Sequence, residues 1–136
     1  MLLFAKVVLL TPVPVTVIGN QELPLPQPLS ALSPGASLEV QLPPAVAGES
    51  REKRFHTWSG INELFPAGSI HAVLYDEHGK QLRLEYRGKA SMSEADVRLI
   101  LDAENGVPTK TRYVRLIVYS QSPLVSVKIY WRNFSK

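Results

Sequence analysis

Cysteine is absent from this chain of 136 residues. That excludes a disulfide framework, thiolate catalysis and zinc sites built on thiolates. Catalytic and cofactor signatures are absent too. There is no Gly-x-Ser-x-Gly elbow, no phosphate-cradling glycine loop and no dinucleotide fingerprint. Long apolar runs are also lacking. Met1–Leu10 is interrupted by Lys6 and soon followed by Pro12 and Pro14, well short of the roughly 20 residues of a membrane-spanning helix. No membrane span is expected. The same stretch has its lysine inside the apolar run and no Ala-x-Ala-like cleavage site, so it reads as a strand rather than a signal peptide. With no clear signal peptide, the cytoplasm is the expected compartment. Helical periodicity is missing throughout.

Histidine is scarce: His56, His71 and His78 are the three in the chain. A cupin-type metal site wants two histidines one residue apart on a strand, with a glutamate nearby. His71 and His78 lie seven apart, and His78 falls in a turn-like segment. No metal and no cofactor are expected. Carboxylates are plentiful before Val107 and absent after it. From Val107 onward the chain carries Lys110, Arg112, Arg115, Lys128, Arg132 and Lys136 and no acid. Such a positive stretch suits a solvated edge or an acidic partner surface.

What the chain does have is ordinary globular composition, with 45% apolar and 20% charged residues, enough for one domain over residues 1–136. Period-two alternation recurs along it. Residues 2–10, 13–18, 37–42, 69–75, 81–86 and 97–103 each read as a strand, and 69–86 as a hairpin around Asp76–Lys80, where Gly79 supplies the left-handed residue. The proline- and leucine-rich residues 20–36 read as a stiff surface crossing with its leucines turned inward. Residues 111–119 and 124–132 alternate most clearly and read as a closing hairpin around Ser120–Pro123. Val114, Leu116, Val118, Val125, Val127, Ile129 and Trp131 would face inward. The expected class is all-β, an antiparallel β-sandwich or jelly roll of about eight strands with little or no helix. A closed barrel is the alternative.

The outward face of that hairpin is the first candidate site. Its register would stack Tyr113 on Tyr130 and Arg115 on Lys128, with Tyr119 and Arg132 alongside. Directly opposed cations are unfavourable unless something neutralises them. That invites, in order, an intramolecular acid such as Asp102, a protein partner or second copy, and last nucleic acid. Tyrosine and arginine are also the residues enriched at binding hot spots. The second candidate is a ligand loop at Phe55, His56 and Trp58, whose aromatics could stack on a sugar or plug one end of the fold.

The run Thr111-Arg112-Tyr113-Val114-Arg115-Leu116, followed by a closing strand, resembles the penultimate strand of discoidin-type, galactose-binding-like jelly rolls. That resemblance covers only this strand pair. It implies a jelly roll and glycan binding. From the residues themselves, the expected function is a non-catalytic binding or assembly module engaging a protein or another copy of itself. A carbohydrate-binding module comes second and a small jelly-roll hydrolase or lyase third. No catalytic residue is assigned.

Overall fold

The computed structural model describes residues 7–43, 65–92 and 97–133. Its strands are β1 (Val7–Leu9), β2 (Val15–Leu23), β3 (Ser37–Gln41), β4 (Ile70–Asp76), β5 (Gln81–Met92), β6 (Val97–Asp102) and β7 (Tyr113–Arg132). No helix occurs among the described residues. All seven strands belong to one antiparallel sheet in the order β1-β7-β3-β6-β5-β4, and β4 pairs with β7 again. The sheet therefore closes into a five-stranded barrel of β7, β3, β6, β5 and β4. The all-β class is as expected, and the architecture at this level is the closed barrel.

The alternating segments become strands because one face of each can be buried. Ile70, Ala72, Leu74, Leu84 and Tyr86 of the β4–β5 hairpin have no solvent exposure. The Asp76–Lys80 turn closes as expected. The Asp76 carboxylate accepts from the backbone N–H groups of His78 and Lys80, both at 2.8 Å, and Gly79 takes φ = 81°. Leu99 and Leu101 of β6 and Leu38 and Val40 of β3 complete the inner wall. Residues 20–23 extend β2 rather than opening the proline-rich crossing, and Leu23 and Leu29 turn inward while Leu32 is 57% exposed. Leu29 exchanges two backbone hydrogen bonds with Tyr113, and Ser30 offers its carbonyl to the Trp131 indole at 3.0 Å.

The largest departure from expectation is β7. Ser120–Pro123 is not a turn: the strand runs through it for 20 residues. Its first half, Tyr113–Ser120, pairs β4, and its last half, Lys128–Arg132, pairs β3. Along β7, β1 and β2 form a broken antiparallel companion. Pro12 and Pro14 interrupt that companion, since proline has no N–H for the ladder. Threonine hydroxyls fill the gap: Thr11 accepts from the Ile129 N–H at 3.0 Å and Thr16 from the Ser126 N–H at 3.3 Å.

Two bulges correct the assignment of faces on β7. Tyr75 pairs Arg115 and Asp76 pairs Tyr113, so Val114 is skipped. A second irregularity falls at Val125–Ser126, where Ser126 adopts φ = 53°. Each extra residue flips the alternation. Val114 and Val125, expected inside, are 47% and 57% exposed, whereas Tyr113, expected outside, is buried at 2%. Leu116, Val118, Val127, Ile129 and Trp131 are core, as expected. A further bulge in β5, between Tyr86 and Ala90 and containing Gly88 at φ = 90°, carries that strand through to Met92, where a loop was expected from residue 90.

Candidate functional site

Because β7 is one strand, the predicted surface residues part into two groups. Arg115 does not oppose Lys128, nor Tyr113 Tyr130. Tyr113 lies inside, where burial raises its phenol pKa; a hydrogen bond with Thr111 opposes the rise and the nearby Asp76 charge adds to it.

Arg115 and Tyr119 belong to the first half of β7. The neutralising acid for Arg115 comes from β2: its guanidinium donates to Glu22 at 2.8 Å. That bond holds the Glu22 carboxyl below its ordinary pKa and the Arg115 guanidinium above its own. Arg115 also lies over the Tyr75 ring, 5.1 Å from its centre. Tyr119 stacks on His71 at 4.8 Å between ring centres. His71 sits opposite Glu85 across the β4–β5 hairpin. Burial lowers the His71 pKa first, the Arg83 charge lowers it further, and Glu85 opposes both.

Lys128, Tyr130 and Arg132 belong to the second half, on a denser surface. Across β5, β6, β3 and β7 the registers align residues in rows. Two rows point inward: Tyr86, Leu101, Leu38 and Trp131; then Ala90, Leu99, Val40 and Ile129. Between and beside them lie outward rows: Glu85, Asp102, Ser37 and Arg132; then Ile100, Glu39 and Tyr130; then Ser91, Arg98, Gln41 and Lys128. The β5 bulge places Lys89 next to the middle outward row.

Glu39 is at the centre of this lattice. It faces outward yet is only 4% exposed, because the long side chains diagonal to it close over it. Arg132 Nε donates to one carboxylate oxygen at 2.6 Å, and Arg98 Nη1 to the other at 3.1 Å. Arg98 also covers the Tyr130 ring at 4.3 Å, and the Tyr130 hydroxyl bonds Gln41 Oε1 at 3.0 Å. A buried carboxylate with both oxygens on guanidinium donors is rigid, since neither arginine can leave without exposing an uncompensated charge. Asp102, proposed as the partner of Arg115, is held instead by Arg87 at 3.0 Å.

Beside this triad an open groove of about 460 Å³ runs over β5, β6 and β3; Ser37, Glu39, Lys89, Ser91, Asp102 and Arg132 line it. Lys89 and Lys128 are exposed and form no ion pair among the described residues. Among the described residues no group of three or more histidine, aspartate or glutamate side chains could hold a metal ion. Phe55, His56 and Trp58 lie outside the described residues. Sequence alone does not single out Glu39 and Arg98: each is a charge between two apolar neighbours in an alternating strand, and only the register between three strands brings them together.

No protein-family model, curated protein or solved structure matches the chain. No helix among the described residues is long and apolar enough to cross a membrane.

Proposed function

We propose that the protein is a non-catalytic binding or assembly module that engages a protein partner, another copy included, through the outer face of β5, β6, β3 and the second half of β7. The observation that carries this reading is the Arg98–Glu39–Arg132 triad, a preorganised polar platform flanked by Lys89 and Lys128, two exposed cations with no ion pair among the described residues. A rigid guanidinium and tyrosine surface loses little side-chain freedom on binding, which is what a hot spot requires. Both groove carboxylates, Glu39 and Asp102, already hold guanidinium partners, which favours a holding surface over proton transfer. Nucleic acid fits less well, because Glu85, Asp102 and Glu39 share the face with its cations.

In this reading the barrel is flattened into a sandwich. β5 serves β4 with residues 81–85 and β6 with residues 85–92, while β7 serves β4 and then β3. Two long shared strands are how one closed sheet yields two layers.

The test compares the wild-type chain with Lys89→Glu and Lys128→Glu, both outside the triad. Each is examined by sedimentation over a concentration series and by retention of proteins on the immobilised chain. Association or retention that the two variants lose supports the reading. A wild-type chain that neither self-associates nor retains any protein that the variants fail to retain overturns it. A glycan array with specific hits would move the reading to a carbohydrate-binding module.

A further inference from the structure

We infer that the groove between Lys89 and Arg132 is a carboxylate-binding subsite, and that the partner presents an acidic peptide segment to it. This rests on the proposed binding role of the same face and adds the chemistry of what is bound.

Charge accounting leads there. Where residues 85–92 of β5, β6, β3 and the second half of β7 meet, the outer face carries the cations Arg87, Lys89, Arg98, Lys128 and Arg132 against the acids Glu39, Glu85 and Asp102. Every one of those acids is already engaged. Glu39 is shared by two guanidiniums, while Arg87 reaches both Asp102 at 3.0 Å and Glu85 at 3.5 Å. The surplus is positive and local: the Lys89 ammonium forms no ion pair among the described residues, and Arg132 engages Glu39 through Nε with its side chain still 30% exposed. A guanidinium bonded through Nε keeps its remaining N–H donors. Ser37, at the rim of the same groove, contributes a hydroxyl from a residue only 5% exposed.

Geometry favours a carboxylate in a peptide over an isolated ion. The groove is open and runs across neighbouring strands. Ile100, which lines the groove in the middle outward row, gives apolar surface for the stem of a glutamate side chain. A fixed guanidinium beside a mobile ammonium matches a planar carboxylate, with the guanidinium setting orientation and the lysine adding a point charge.

The test is titration of the isotope-labelled full chain, followed by amide chemical shifts, with a capped peptide alternating glutamate and serine. A glutamine-for-glutamate peptide and inorganic phosphate serve as comparators. The expected result is a saturable response centred on Ser37, Lys89, Ser91, Ile100 and Arg132 with the glutamate peptide, absent with the glutamine peptide. Raising the salt should weaken it, and Lys89→Glu should weaken it about tenfold or more. No response to the glutamate peptide at low salt overturns the inference. So does a response centred elsewhere on the basic surface, or one that phosphate reproduces at equal affinity, which would make it a small-anion site. In any of these cases protein retention by the immobilised chain, measured separately, still decides whether the face is a binding surface.

Discussion

At the residue scale, Glu39 bears the most consequence. Converting Glu39→Gln leaves two guanidiniums without their shared counter-charge. Breaking a fully buried pair costs roughly 3–5 kcal/mol. Arg98 and Arg132 retain 23% and 30% side-chain exposure, so water recovers part of the loss, and the expected destabilisation is about 2 kcal/mol by urea unfolding. Glu22→Gln, at an ion pair lying in solvent, should lower the unfolding midpoint far less than Glu39→Gln. His71 sets a second residue-scale prediction. Its folded pKa is depressed by burial and by Arg83, with Glu85 on the facing strand opposing and Tyr119 stacked above. The unfolded chain therefore takes up the proton more readily than the folded one. That favours unfolding as pH falls below the ordinary histidine value of about 6.5. The unfolding midpoint should drop between about pH 7.5 and 5.5, and His71→Gln should flatten that slope. Glu22 and Asp76 act in a different window. In Asp76 partial burial pulls upward, but hydrogen bonds from the Lys80 and His78 N–H groups win and lower its pKa. The stabilisation from these two carboxylates is present above their ordinary values and is lost only as pH falls below about 4.

At the element scale, β7 shows what alternation reveals and what it hides. Leu116, Val118, Val127, Ile129 and Trp131 were legible as core from their spacing alone. Ser120-Gln-Ser-Pro123 looked like a turn because serine and proline favour turns. Yet Ser120 pairs Ile70 of β4 and Gly19 of β2, the Gln121 N–H bonds the Ser69 carbonyl and Leu124 pairs Val17, so the strand continues with residues 121–123 as a bulge against β2. Pairing partners 40 to 100 residues away decide this, and no local pattern encodes them. The bulges are hidden for the same reason, although Ser126 offers a test. A left-handed non-glycine residue costs roughly 1–2 kcal/mol, and glycine loses about 0.5–1 kcal/mol more entropy on folding. Ser126→Gly should therefore stabilise by a few tenths to about 1 kcal/mol, whereas Ser126→Val should destabilise by at least about 1 kcal/mol, both read from chemical denaturation. Equal effects of the two substitutions would mean that the strand is not bulged there. The β4–β5 hairpin was legible almost completely, because its turn and both strands are adjacent in sequence.

At the scale of the whole molecule, closure of the sheet decides what is left for function. The ring of β7, β3, β6, β5 and β4 has no free edge among its own strands, which removes the template for uncontrolled strand addition. β1 and β2 lie outside the ring, and Pro12 and Pro14 blunt that remaining edge. Recognition then falls to side chains on the outer wall. The expected outward residues of β7 were partly right in identity and wrong in company: Arg115 and Tyr119 keep to one half of the molecule with Glu22, Tyr75 and His71, while Lys128, Tyr130 and Arg132 join Glu39, Gln41 and Arg98 in the other. The acidic neighbour expected for Arg115 does exist, but β2 supplies it through Glu22, not Asp102, while Lys128 forms no ion pair among the described residues. The central claim is that β7 is one strand spanning both halves, which is what assembles the Glu39 platform. The natural absence of cysteine makes it directly measurable by spin labels on Arg115→Cys and Lys128→Cys. A fully extended run of that length would reach about 43 Å, and the bulges and barrel curvature shorten it. A dipolar distance above about 25 Å is the predicted result. A distance within about 15 Å, as labels on opposed hairpin residues would give, would contradict the account.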